Sequence, residues 1–321
     1  MTTERRPIRW GLLGTGNITR KLLAGAAGTS TADVVAVGSR HGGRAAAFAA
    51  DNGIAQAHGS YEALLADPEV DAVYISLPNG LHHGWTMHAL AAGKHVLCEK
   101  PYTRHPDEVD EAFDAADARG LVLEEAFMWR HHPQVGILRS IVAELGPLQL
   151  IRATFSFVLK SEANVRVQAD LDGGSLMDVG CYCVSGARLL AGEEPTEVIG
   201  VAALDENGVD RRFTGILRFP SGPVAEFSSG FTSNHRGLEA IGRDGSVRAT
   251  DPWNSSPATI VRDGVETIVE PADPYTLELE DMAAAIRGER PALLGRADAL
   301  GQARTIEALY RSAEIGAVVR L

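Results

Sequence analysis

Short, nearly continuous apolar runs alternate with segments of helical period through the first 126 residues, and that rhythm stops beyond about residue 145. Ile8–Leu13, Val34–Val37, Asp71–Leu77, His95–Cys98 and Leu121–Ala126 read as strands buried on both faces. Between them the spacing predicts helices at Arg44–Asn52, Tyr61–Ala66, His82–Ala92 and Pro106–Arg119, and one that starts directly after Gly16. Ser60 is a natural N-cap, Asp67-Pro68 a stop and Gly93 a left-handed terminator. Strands alternating with helices predict a parallel sheet covered on both faces. Such sheets take ligands beyond the carboxyl ends of their strands. Gly14, Ser39, Leu77–Asn79, Glu99–Pro101 and Ala126 all fall at those ends, so they are expected to converge on one crevice.

The second half reads differently. Leu148–Leu159, Glu197–Ala203, Phe213–Phe219, Ala225–Phe231, Glu239–Ile241, Ser246–Thr250, Thr259–Arg262 and Glu266–Val269 are strand candidates with few helices between them. Asn207-Gly208, Ser221-Gly222 and Asp263-Gly264 are turn pairs that predict hairpins, hence an open, mostly antiparallel sheet. Helical period returns at Thr276–Ile286 and Ala297–Ser312, and a helix over Leu176–Leu190 is expected. The prediction is an α/β chain: a doubly wound domain over 1–126 and an α+β domain over 127–321, with the last helix, about 297–312, a candidate to pack back on the first domain.

Composition narrows the picture only in places. A length of 321 residues suits about two domains. The formal net charge of -12 argues against a nucleic-acid or anionic-membrane surface, while leaving room for a local basic pocket. No apolar run nears the roughly 20 residues of a membrane span, and Met1–Arg9 is polar with no hydrophobic signal region. Three cysteines, an odd number, suit reduced thiols and a cytoplasmic location. Cys181 and Cys183 have only Cys98 to join them, in a strand, so no metal site is expected.

The chemistry gathers in five stretches. At Gly14-Thr15-Gly16-Asn17-Ile18 a strand gives way at once to a helix, and side-chain-free backbone lets a pyrophosphate approach the helix N–H groups. This is the dinucleotide fingerprint of a Rossmann domain, with Thr19 where a third small residue usually stands. No acidic residue closely follows the second strand to bond a ribose 2′-hydroxyl. Ser39 and Arg40 stand there instead and suit a 2′-phosphate, favouring NADP over NAD. Lys100, at a strand end between Glu99 and Pro101, can hydrogen-bond a substrate oxygen, and hydride transfer from C–H requires an acid or base near that oxygen. In Gly173-Gly174-Ser175-Leu176-Met177-Asp178 and onward to Tyr182, Asp178 and Tyr182 are four apart and so one turn from each other. A phenol whose pKa is ordinarily about 10 becomes a usable proton carrier beside a lysine cation. Phe127-Met128-Trp129-Arg130-His131-His132 leaves the last strand of the first domain; Trp129 and Arg130 are placed to stack on and hydrogen-bond the cofactor or substrate. The adjacent histidines hint at a metal, but neighbours rarely face one site; a substrate-contacting or capping histidine fits better, and a structural one better still. Each stretch has a plain alternative: a turn opening an α/β fold, a solvated Arg40, a Lys100 paired with Glu99, a Tyr182 on a helix surface.

Three of these stretches together resemble the recurring motifs of the Gfo/Idh/MocA oxidoreductase family: Trp10–Ile18, Ala91–Pro101 with its Glu-Lys-Pro, and Gly173–Tyr182. The resemblance runs from Ile8 to about Leu309. It implies a dinucleotide-binding domain followed by an open β-sheet domain whose sheets often meet in oligomers, hence a homodimer or homotetramer. It also implies that Lys100 acts at the reacting hydroxyl. The family usually has His four residues after the motif Asp; here the pair is Asp178 and Tyr182, similar to the branch of dimeric dihydrodiol dehydrogenase, NADP-dependent D-xylose dehydrogenases and deoxysugar 3-ketoreductases. Thr19 in place of Ala, and His131 in place of an aromatic, depart from the pattern.

The resulting expectation is an NADP-dependent dehydrogenase or ketoreductase acting on a secondary alcohol of a sugar or related cyclic polyol. Gly14–Ile18 hold the pyrophosphate and Ser39 with Arg40 the 2′-phosphate. Leu77, Pro78, Asn79, His82 and Glu99 line the cofactor path; Lys100 and Tyr182 carry the acid–base step; Asp178 orients the substrate; Arg166 is a lesser contact. The competing readings are a same-fold enzyme that redox-cycles a tightly bound cofactor in hydrolysis or epimerisation, and a non-catalytic dinucleotide sensor.

Overall fold

A computed structural model describes residues 6–254 and 258–321; the chain start Met1–Arg5 lies outside the described residues. Packing divides the chain into two compact units, one of residues 6–103, 107–131 and 273–299, the other of residues 104–106, 132–272 and 300–321 within the described range.

The first unit holds a six-stranded parallel sheet of β1 (Ile8–Leu13), β2 (Ala32–Gly38), β3 (Gln56–His58), β4 (Ala72–Ile75), β5 (His95–Glu99) and β6 (Leu123–Ala126). Their spatial order is β3-β2-β1-β4-β5-β6, the doubly wound order whose direction reverses between β1 and β4. The apolar runs predict these strands because a covered parallel sheet leaves no polar face: every residue of β4 and β6 is buried. Helices α1 (Asn17–Ala26), α2 (Gly42–Asn52), α3 (Tyr61–Leu65), α4 (His82–Ala91) and α5 (Pro106–Asp117) connect them. Strand β3 goes beyond the predicted elements; three residues with no buried member give no apolar run to read.

The second unit holds α6 (Gln134–Glu144), β7 (Leu148–Ser156), α7 (Cys181–Ala191), β8 (Glu197–Leu204), β9 (Asp210–Arg218), β10 (Val224–Gly230), β11 (His235–Gly242), β12 (Gly245–Ala249), β13 (Thr259–Arg262) and β14 (Val265–Ile268). After α8 (Pro274–Ile286), in the first unit, come α9 (Arg296–Ile315) and β15 (Val319–Arg320). The strands form one nine-stranded sheet, β14-β13-β12-β11-β7-β10-β9-β8-β15. All its pairings are antiparallel except β10 with β7. Alternation is clean in β9, where Phe213 and Leu217 are buried while Ile216 is exposed. Phe213 stacks on Phe227 of β10 with centroids 6.1 Å apart.

The units depart from a single cut between 126 and 127. Residues 127–131 stay with the first sheet, and α8 joins it from far along the chain. The Thr276 hydroxyl of α8 donates to Gly25 O of α1 at 2.8 Å, and Thr29 donates to Glu280 at 2.9 Å. Residues 300–321, which contain most of the last helix, belong to the second unit, while α8 and the first turn of α9 belong to the first, where Arg296 pairs with Asp114 and Asp117 of α5 at 2.7 and 2.9 Å. Among the described residues no helix is long and apolar enough to cross a membrane.

Candidate functional site

In the first unit the candidate residues line the carboxyl-terminal edge of the parallel sheet. Gly14 follows β1 with φ +113°, a backbone that L side chains rarely adopt, and a Cβ there would lie 2.8 Å from Ser76 Oγ. The turn is tied down on both sides. Gly14 N–H donates to Gly38 O at 3.1 Å and Ser76 N–H to Leu13 O at 3.1 Å. Thr19, fully buried, does not merely crowd the packing. Its hydroxyl lies 2.7 Å from Ser76 Oγ and 3.4 Å from Gly14 O, so it joins the network that fixes the glycine turn. Gly16 stands at the N-cap of α1 with no capping side chain, and α1 has no acidic residue in its first turn. Gly16 and Asn17 are exposed, with Thr15 and Ile18 half-buried. Uncapped N–H groups at an open helix start are what a pyrophosphate needs.

Ser39 follows β2, buried, and its hydroxyl accepts from His41 N–H at 3.3 Å. Arg40 is exposed, with its guanidinium at the Tyr61 hydroxyl. Burial raises the pKa of Tyr61 while the Arg40 charge opposes the rise. A serine hydroxyl and an arginine at this strand end fit a phosphate on the ribose.

The turns after β4 and β5 are joined by His82. Its Nε2 lies 2.7 Å from Leu77 O and its Nδ1 2.9 Å from Pro101 O. Burial pushes its pKa down, with the Lys100 charge acting in the same direction. A neutral imidazole donates to only one of two carbonyls. His82 thus ties together the loops that carry Asn79 and Lys100. His82→Ala is expected to lower kcat/KM by about 10–100-fold, because small misplacements of reacting groups are that costly; steady-state kinetics against a matched thermal melt checks it.

Lys100 is half-buried after β5 and joined to Pro101 by a cis peptide bond. Its backbone N–H donates to Glu99 Oε2 at 3.2 Å, and Glu99 Oε1 accepts from the buried Tyr74 hydroxyl. Trp129 is completely enclosed, so its ring forms a wall inside the unit and is not presented for stacking. The Arg130 guanidinium lies 6.0 Å from that ring and pairs with Asp298 at 3.3 Å.

In the second unit the diglycine stretch has a different architecture from the straight helix its periodicity predicts. Leu176–Gly180 is a π-helical turn that runs into α7. A π turn bonds i to i+5, so Asp178 and Tyr182 do not share the simple one-turn relation of an α-helix. Gly174, at φ +139°, leaves no room for a Cβ, which would fall 2.2 Å from Asp210 Oδ1. Asp210, missed by the sequence reading, organises this start. It accepts from Ser175 Oγ and Leu176 N–H, both at 2.8 Å, and from the Tyr310 hydroxyl at 2.9 Å.

Asp178 accepts from Arg166 Nε at 2.7 Å, and its side chain is only 10% exposed. Tyr182 packs edge-on against Phe155 and Trp253, with centroids 5.2 and 5.8 Å away. Trp253 is held by its indole N–H on Thr154 O at 2.8 Å. Phe155 and Trp253 were not expected; each is a lone aromatic in an unremarkable run, and only the fold brings them to Tyr182. A separate cavity of about 1100 Å³ in this unit is lined by Arg104, Asp172, Gly173, Asp210, Tyr310 and Arg311, not by Asp178 or Tyr182.

Comparison with known proteins follows the same two parts. The family model GFO_IDH_MocA, described as an oxidoreductase family with an NAD-binding Rossmann fold, matches residues 8–127. The GFO/IDH/MocA C-terminal domain matches residues 138–248. The D-xylose 1-dehydrogenase (NADP(+)) 2 of Haloferax volcanii is 42% identical, the match covering 98% of this chain and all of that protein. Among solved structures, the aldose-aldose oxidoreductase from Caulobacter crescentus complexed with glycerol is similar with a TM-score of 0.91 and 28% identity, over 98% of this chain and 100% of that one. A 3-ketoreductase from Actinomadura kijaniata in complex with NADP and TDP-benzene gives 0.90 and 29%, over 95% and 98%.

Proposed function

We propose that this chain, which belongs to the Gfo/Idh/MocA family of NAD-binding oxidoreductases, is an NADP-dependent dehydrogenase or ketoreductase acting on a secondary alcohol, or the matching ketone, of a sugar or related cyclic polyol. The observation that carries this is the gathering of an uncapped helix start, an exposed arginine and Lys100 at the carboxyl ends of one parallel sheet. The relatives support the substrate class, being a D-xylose dehydrogenase and a sugar-nucleotide-type ketoreductase by name.

Gly14–Ile18 would hold the pyrophosphate, Ser39 and Arg40 the 2′-phosphate, and Leu77–Asn79 with Glu99 the path toward the nicotinamide. When bound there, the cofactor supplies hydride exchange with a carbinol carbon. The Lys100 ammonium donates a hydrogen bond to the reacting oxygen, and Tyr182 takes up or returns that oxygen's proton. Asp178, held by Arg166, accepts from a neighbouring substrate hydroxyl.

Arg40→Ala is the direct test of the cofactor assignment. Losing a charge-assisted hydrogen bond of about 1.5–3 kcal/mol should weaken NADP binding roughly 10–100-fold with little change for NAD, read by nucleotide titration. Assays of NADP reduction against pentoses, hexoses, inositols and aromatic diols identify the substrate; no activity with any of them overturns the reading.

The name of the Caulobacter neighbour favours a second reading, in which one retained cofactor is reduced by one sugar and reoxidised by another. Nicotinamide absorbance that survives dialysis of the purified protein would favour it. The outward face of β8 and β9, with Val201 67% and Ile216 45% exposed, supports association through this sheet as a dimer or tetramer. Cys98, Cys181 and Cys183, buried and in no disulfide, fit a reducing, cytoplasmic setting.

A further inference from the structure

Behind the strand ends, inside the first unit, lies a polar cluster that the proposed reaction does not use. Glu124 on β6, His131 just beyond it, and Glu278 and Asp281 on α8 meet with side chains 0%, 3%, 1% and 4% exposed. His131 Nε2 is 3.6 Å from Glu124 Oε1 and 3.9 Å from Glu278 Oε1. One donor atom each from Glu124, His131 and Asp281 also lies within 4.8 Å of the others. His131 Nε2, Glu124 Oε2 and both Glu278 oxygens are buried with no hydrogen-bond partner among the described residues.

Buried carboxylates and imidazoles without partners are costly, and folded proteins satisfy them or bind something there. Two of the groups are oriented from behind. Leu294 N–H donates to Glu124 Oε1 at 3.1 Å, and Asp281 is held by Leu293 N–H at 2.8 Å and by Arg290. Such outer contacts are typical of metal ligands.

We infer that Glu124, His131, Glu278 and Asp281 form a structural site for one divalent transition-metal ion, zinc being the type, which ties α8 to the end of β6. Zinc–oxygen and zinc–nitrogen bonds of about 2.0–2.2 Å put tetrahedral ligands about 3.3–3.6 Å apart. The 3.6 Å between His131 and Glu124 already matches and the 3.9 Å to Glu278 needs tenths of an ångström of contraction, while Asp281, within 4.8 Å of His131 and Glu124, closes the set by a larger side-chain movement. Charge points the same way. Three carboxylates face the Arg290 guanidinium, and the nearby Arg130 is paired with Asp298, so the cluster keeps two negative charges, which a dication cancels. Arg290, 52% exposed, offers the route in, since its displacement opens Asp281 to solvent.

The test is a titration of untagged, EDTA-treated full-length protein with Co²⁺, with Zn²⁺ competing. One saturable equivalent per chain with a visible d–d spectrum, displaced by Zn²⁺, is expected. Glu278→Gln and His131→Ala should each weaken Co²⁺ at least tenfold. The idea is overturned if wild type shows no saturable equivalent, or if both folded variants bind as wild type does. Should His131→Ala fail to fold, the wild-type stoichiometry and the nearly isosteric Glu278→Gln decide.

Discussion

Lys100→Ala is expected to lower kcat/KM for the sugar by about 10²–10⁴-fold, the range that a positioned acid–base group contributes, while NADP binding changes little. The side chain stands half-buried after β5, and the Lys100 contact with Glu99 Oε2 is made by the main-chain N–H, which the substitution keeps. The fold should survive, with a stability loss inside the roughly 0.5–3 kcal/mol of most single substitutions, read by a thermal melt. Tyr182→Phe should lose a comparable factor with the hydrophobic contacts to Phe155 and Trp253 retained. The double variant is the informative member of the set. If ammonium and phenol serve one proton transfer, losing both costs little more than losing either, because residues acting as a unit are not additive. Wild-type turnover in either single variant would remove the proposed mechanism and leave the family assignment standing.

How much of this was legible in the chain depends on the range of the forces involved. Five of the six strands of the first sheet follow from apolar runs because a covered parallel sheet writes its burial into consecutive residues, whereas β3, with no buried member, leaves no such trace. The antiparallel strands, the two-residue β15 apart, were readable through alternation and turn pairs, with edges shifted by only a few residues. Helix α6 was not, since Gln134, Val135 and Leu138 make too short a buried stripe to stand out. Nor was the π turn at Leu176–Gly180: its hydrophobic spacing is that of an α-helix, and the extra residue is accommodated by what Asp210 and Ser229 do across the fold. Thr19 illustrates the same limit. A motif comparison marks it as oversized, whereas its partner Ser76 lies 57 residues away. Within the first unit, the buried assembly around His131 draws its carboxylates from β6 and α8. The adjacent His131-His132 pair hides it, because the two histidines do not act together; only His131 reaches those acids.

Gly174→Ala is expected to destabilise the protein by about 3–5 kcal/mol, at the extreme of single substitutions. Three costs coincide at that position. The backbone φ of +139° is strained for any L side chain. The new Cβ would sit 2.2 Å from Asp210 Oδ1 and 2.9 Å from the Tyr310 hydroxyl, so Asp210 must move. Once it moves, buried Ser175 Oγ and Leu176 N–H lose their acceptor, at about 1–3 kcal/mol for each group left unsatisfied. The melting temperature should fall by roughly 10 °C at the 2–4 °C per kcal/mol usual for a unit of this size. Activity should fall further than stability alone predicts, since the displaced turn also carries Asp178 and leads into Tyr182. Asp210→Asn separates the two effects. Its amide keeps one oxygen for the Leu176 N–H, so it should lose less stability than Gly174→Ala while still loosening Asp178. A Gly174→Ala protein with an unchanged melt would mean that the turn relaxes at no cost, and that the diglycine serves neither packing nor the placement of Asp178.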